Sequence, residues 1–128
     1  MNATEAPILV IEDEPSVMTL VRTALERSGY RVVPATSGVD GLRLLASASY
    51  RGVISDMRMP GGVSGADVHA WIVANRPELV ARIIFITGDV VNDETAGMLA
   101  RTGAPFVEKP FRVTQLIQTV QQVFGKSA

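Results

Sequence analysis

Short aliphatic runs alternate along the chain with longer segments whose apolar residues recur at helical spacing. The runs are Ile8–Ile11, Tyr30–Val33, Val53-Ile54, Ile83–Ile86 and Phe106-Val107. Two of them, Ile8–Ile11 and Ile83–Ile86, are apolar throughout. A strand apolar on both faces belongs inside a parallel sheet covered on both sides. The first helical segment runs from about Pro15 to Ser28. It carries Val17, Leu20, Val21, Ala24 and Leu25 on one stripe, with proline in its first turn and Gly29 after its end. A second spans Gly38 to Ser47, with Leu42, Leu45 and Ala46 inward. The third covers roughly Ser64–Asn75, and the fourth roughly Asn92–Arg101, closed by Gly103. The fifth, Val113–Phe124, places Leu116, Ile117, Val120, Val123 and Phe124 on one side. A β-α unit repeated five times predicts an α/β fold with a doubly wound five-stranded parallel sheet. Its crossovers are right-handed.

A length of 128 residues fits one domain, spanning 1–128 with a core of about 7–125, since domains average roughly 150 residues. The absence of cysteine excludes disulfide scaffolds, thiolate zinc sites and cysteine nucleophiles. Twelve basic against 13 acidic side chains give a net charge of −1, which is no footprint for nucleic acid. No apolar run approaches the ~18–20 residues of a membrane span. The first residues lack the basic start of a signal peptide. These features predict a cytoplasmic protein without a membrane partner. The first six or so residues and Gly125–Ala128 read as loose ends.

Ligands of doubly wound sheets bind beyond the carboxyl ends of the strands. Here those ends carry Glu12-Asp13-Glu14, Ser55-Asp56, Thr87-Gly88-Asp89 and Glu108-Lys109-Pro110. Any one of these acids alone reads more readily as a helix cap or a solvated loop charge than as part of a site. Gathered at one sheet edge with a hydroxyl and an ammonium, they read as a site. Buried carboxylates repel one another. A hard divalent cation, most simply Mg²⁺ (or Mn²⁺), resolves the repulsion with oxygen ligands.

The motifs Ile8–Pro15, Asp56-Met57-Arg58-Met59-Pro60-Gly61, Thr87-Gly88 and Lys109-Pro110-Phe111 resemble the receiver domain of two-component response regulators. The resemblance covers Ile8 to Phe124 and implies a flavodoxin-like strand order of 2-1-3-4-5. It implies that Asp56 is the phosphoacceptor, taking a phosphoryl group from a phosphohistidine of a histidine kinase or histidine phosphotransfer protein. Asp13, Asp56, Glu12 and the backbone carbonyl of Arg58 would surround the metal. Thr87 and Lys109 would bind the phosphoryl oxygens, with Lys109-Pro110 a cis bond that aims the lysine. Phe106 would turn inward after phosphorylation, switching the face of the fourth helix, fifth strand and fifth helix for a downstream protein. A permanently buried Phe106 is the alternative. The resemblance implies a switch with at most slow self-dephosphorylation, not an enzyme.

The chain departs from the common pattern in three places. Glu12 stands where aspartate is more usual. The segment Gly103–Phe106 is one residue short, which, with Met59–Gly65, resembles receivers attached to hybrid sensor kinases. The fifth helix is almost uncharged, which argues for a monomer or a weak, different dimer. Arg58 and Asp89 flank the site and are candidates for lengthening the phosphoryl lifetime by pairing across its mouth. Trp71 reads as a contact site or a partly packed side chain, and His69 as structural. An aspartate-nucleophile phosphohydrolase would need a second acid where Arg58 stands. Nucleotide loops lack their glycines. A receiver-like scaffold working without phosphate remains as the other alternative.

Overall fold

The computed structural model describes residues 6–59, 61–88 and 93–127. Strands β1 (Ile8–Ile11), β2 (Val32–Ala35), β3 (Gly52–Asp56), β4 (Ile83–Thr87) and β5 (Phe106–Glu108) form one sheet in the order β2-β1-β3-β4-β5. Every pairing is parallel. The expected flavodoxin-like order is thus the observed one. Helices α1 (Pro15–Arg27), α2 (Gly38–Ser47), α3 (Gly65–Asn75), α4 (Asp93–Thr102) and α5 (Val113–Phe124) cover both faces.

The two-sided apolar strands explain the layering. Successive strand residues point to opposite faces. Ile8 and Val10 of β1 pack with Val21 and Leu25 of α1 and Leu116, Val120 and Phe124 of α5. Leu9 and Ile11 pack on the other face with Leu45 of α2, Val68 and Ile72 of α3 and Leu99 of α4. Each fully buried aliphatic side chain contributes about 1.5–3 kcal/mol.

Several boundaries and faces differ from expectation. Strand β2 begins two residues late, because the Tyr30 N–H still closes α1 by donating to the Leu25 carbonyl at 3.0 Å. It then continues through Pro34, which pairs with Val10. Proline lacks a ladder donor and is tolerated on an edge strand, which β2 is. In α1 the inward row is Met18, Val21, Ala24 and Leu25, whereas Leu20 is 42% exposed. Both rows satisfy helical spacing, so spacing alone does not select the buried one. Ala46 of α2 is exposed rather than inward, and Gly38 and Gly41 take the buried positions beside Leu45. A Cβ on Gly41 would meet Ile11 Cδ1 at 2.5 Å, so glycine is what lets α2 lie this close to β1. The expected helix start Asn92 lies outside the described residues. A short 3₁₀ turn, Pro77–Leu79, enters β4 and was not anticipated.

The carboxyl-terminal segment is not a loose end. Arg51, buried just before β3, donates from Nε to the Phe124 carbonyl at 3.1 Å. From Nη2 it reaches the carbonyls of Gly125 at 3.0 Å and Lys126 at 2.6 Å. Its guanidinium carbon lies 5.0 Å from the centre of the Tyr30 ring. The Tyr30 hydroxyl donates to the Gly125 carbonyl, and that of Ser127 to the Ser28 carbonyl.

Candidate functional site

The site is assembled by strand ends. Asp56 is the last residue of β3 and Thr87 the last of β4, while Glu12 and Lys109 directly follow β1 and β5. The sheet ladder extends one step beyond the strands and fixes these positions. Glu12 N–H donates to Ala35 O at 2.9 Å, Met57 N–H to Ile86 O at 3.0 Å, and Lys109 N–H to Thr87 O at 2.7 Å. The Lys109-Pro110 bond is cis. Behind Asp56, α3 begins at Gly65, whose N–H donates to Met57 O at 2.8 Å. A Cβ there would lie 2.6 Å from the Asp56 carbonyl. A reciprocal pair of bonds between Ser64 and Asp67 caps this helix start.

Asp56 is 5% exposed and Glu12 1%. The Lys109 ammonium sits among them, 3.4 Å from Asp56 Oδ2, 3.5 Å from Glu12 Oε2 and 3.4 Å from Glu14 Oε1. Asp56 Oδ1 accepts from the Arg58 N–H at 3.4 Å, and Glu12 Oε1 from the Glu14 N–H at 3.2 Å. Burial, and then the Asp56 carboxylate, push the Glu12 carboxyl from 4.5 to about 7, against the pull of the Glu14 N–H and Lys109. Burial also raises the Asp56 carboxyl, although Lys109 and the Arg58 N–H favour its anion. For Lys109, burial disfavours the ammonium, but Asp56, Glu12 and Glu14 together outweigh it and hold its pKa above the usual lysine value.

This edge therefore carries more negative charge than one lysine relieves. Glu12, Asp13 and Asp56 each offer a carboxylate oxygen, all within 4.8 Å of one another. Glu12 Oε2 is buried without a hydrogen-bond partner among the described residues. Clustered hard oxygens, one of them held only by the long ion pair with Lys109, fit Mg²⁺ or Mn²⁺. Beside them a pocket of about 210 Å³ is lined by Glu14, Asp56, Arg58, Thr87, Gly88 and Lys109.

Glu12, Asp13, Asp56, Thr87 and Lys109, expected at one sheet edge, meet there in the fold. Glu14 joins them as an unexpected partner of Lys109. Equally unexpected, the Arg58 side chain meets Glu94 of α4, at 3.5 Å between Nη1 and Oε2. Nothing in the sequence links positions so far apart. Asp89, the partner expected for Arg58, lies outside the described residues, as does Pro60. Phe106 is 45% exposed and is not a buried core aromatic. Trp71 is half-buried and packs on the α2–α4 side of the core. His69 is half-buried against Phe85, with ring centres 6.2 Å apart, and burial lowers its pKa. No helix among the described residues is long and apolar enough to cross a membrane.

Residues 8–121 match the family model of the response regulator receiver domain. The chain is 30% identical over its whole length to the transcriptional regulatory protein GlrR of Escherichia coli (strain K12), of which it spans 28%. It is 24% identical to the polar-differentiation response regulator DivK of Brucella ovis, over 92% of this chain and 95% of that protein. The receiver domain of NtrX from Brucella abortus superposes with a TM-score of 0.82 at 30% identity, over 94% of this chain and 99% of that one. Fold, strand-end chemistry and these similarities agree: the chain belongs to the response regulator receiver domain family.

Proposed function

We propose that the chain is a phosphoacceptor switch of a two-component or phosphorelay system, with Asp56 as the acceptor. The observation that carries this reading is the placement of Asp56. Its nearly buried carboxylate ends a central strand, faces an ammonium 3.4 Å away, and borders a pocket shared with Thr87. An Asp56 oxygen attacks the phosphorus of a phosphohistidine on a histidine kinase or histidine phosphotransfer protein. The O–P bond forms as the N–P bond breaks, and the histidine nitrogen leaves with the electron pair. Lys109 then pairs with a phosphoryl oxygen as a compact point charge, and the Thr87 hydroxyl donates to another.

Glu12, Asp13, Asp56 and the Arg58 carbonyl would hold Mg²⁺ or Mn²⁺. Such an ion supplies charge neutralisation for the carboxylates and for the incoming phosphoryl oxygens. Phosphorylation adds about two negative charges. The movement of Thr87 toward them would draw Phe106 inward and alter the α4–β5–α5 face, where a downstream protein binds. We place the chain in the cytoplasm as one domain that acts as a switch rather than an enzyme, without nucleic acid or membrane as partner, and as a monomer or weak dimer.

The test is incubation with acetyl phosphate and Mg²⁺, followed by intact mass, with Asp56→Asn alongside. A gain of one phosphoryl group that needs the metal and is absent in the variant is expected. No gain, even with a phosphohistidine donor, would sink the reading and leave a phosphate-independent binding module.

A further inference from the structure

Arg58 lies between two concavities. It lines the acceptor pocket with Asp56, Thr87 and Lys109. It also lines the adjoining groove with Met59, Ser64, Glu94 and Met98. Its backbone N–H is held on Asp56 Oδ1, so the side chain starts at the acceptor itself. The guanidinium, however, rests on Glu94, in the first turn of α4.

We infer that Arg58 is a movable tether: it holds α4 through Glu94 while Asp56 is unmodified, and passes to the phosphoryl group once Asp56 carries one. This rests on the phosphoacceptor reading of Asp56. The Arg58–Glu94 pair is exposed on both sides, 51% and 69%, and its 3.5 Å separation is long. Such pairs are weak and screened. A phosphoryl group on Asp56 offers about two charges and three acceptor oxygens, and the planar guanidinium fork matches such oxygens pairwise. The stronger anion would arise at the base of the same side chain, so the exchange needs rotation about side-chain bonds only.

Helix α4 is built to respond. Thr95 and Leu99 are its buried residues, and Asp93 and Glu94 of its first turn are exposed. Loss of the tether therefore loosens the amino-terminal turn while Leu99 keeps the rest seated. Arg58 on the phosphoryl group would also stand in the path of water, so the same movement lengthens the lifetime of the acyl phosphate.

The test is amide hydrogen exchange of the α4 amino-terminal turn in the full chain, with and without acetyl phosphate and Mg²⁺, together with the decay of phosphoryl mass. In the parent protein, phosphorylation should speed exchange there about two- to fivefold, the range for release of an exposed ion pair. Glu94→Gln should show that faster exchange without phosphate, gain no more with it, and keep the parent lifetime or exceed it. Arg58→Ala should show the same faster exchange but a shorter lifetime. A chain that gains no phosphoryl mass removes both this inference and the reading beneath it. A chain that gains the mass, yet whose α4 exchange is the same in Glu94→Gln as in the parent, removes the tether alone. So does an Arg58→Ala protein with parental exchange and lifetime.

Discussion

Arg51 offers a sharp test of the packing argument, because one side chain ties the end of α5 to the start of β3. Its hydrogen bonds to the carbonyls of Phe124, Gly125 and Lys126 come from an ionised donor. Lost singly, each would cost about 1.5–3 kcal/mol. They share one guanidinium, however, and Gly125 and Lys126 are exposed, so water can replace part of what those carbonyls lose. The contact with the Tyr30 ring contributes about 1 kcal/mol. Arg51→Met keeps the aliphatic bulk and removes all of these at once, leaving the buried bond to Phe124 as the chief loss. The expected cost is about 3–4 kcal/mol. At about 3–5 °C per kcal/mol for a chain of this length, the Tm should fall by about 10–20 °C. Arg51→Lys should recover less than half of this, because an ammonium cannot serve three carbonyls through a rigid fork. Thermal and urea unfolding of the three proteins measures both numbers. If Arg51→Met costs less than about 1 kcal/mol, or lysine serves as well as arginine, the fork is not what seats the end of α5.

Two further predictions concern the site edge. Glu12 titrates at about 7 in the folded chain against 4.5 as a free side chain. Its folded value is raised, so its stabilising contribution is complete below about pH 4.5 and is lost as the pH rises through about 7, by about 3 kcal/mol. Urea unfolding in EDTA should show Glu12→Gln gaining on the parent across that window, and millimolar Mg²⁺ should shrink the gain. A difference that does not change with pH would contradict the burial argument. Gly65→Ala forces a Cβ to within 2.6 Å of the Asp56 carbonyl. It should cost about 2 kcal/mol or more and slow phosphoryl uptake from acetyl phosphate. Unchanged uptake in the folded variant would mean that α3 does not set the position of Asp56.

What could be read from the sequence follows from how local its causes are. The bounds of β1, α2 and α5 agree with the structure because periodicity and flanking residues decide them within a few positions. Strand ends were legible as a site because a parallel sheet brings Glu12, Asp56, Thr87 and Lys109 to one edge whatever the loops do. The misplaced start of β2 came from counting Tyr30 with the β-rich run Tyr30–Val33, when its N–H still closes α1 on the Leu25 carbonyl. Met18 rather than Leu20 faces the core, and two equally spaced rows leave that choice to tertiary packing. The partners of Arg51 and Arg58 lie far along the chain, and long flexible side chains announce no partner through spacing. The seated carboxyl-terminal segment was invisible for that reason.

The two margins of the sheet bear on how the protein behaves at high concentration. One margin is β2, interrupted by Pro34, and the other is β5, only three residues long. An exposed strand edge is a template for aggregation and amyloid-like stacking, and prolines and very short strands are the common defences. Neither margin here presents a long, regular row of free donors. Copies of the chain can crowd together without zipping strand to strand, which leaves association to the helical faces.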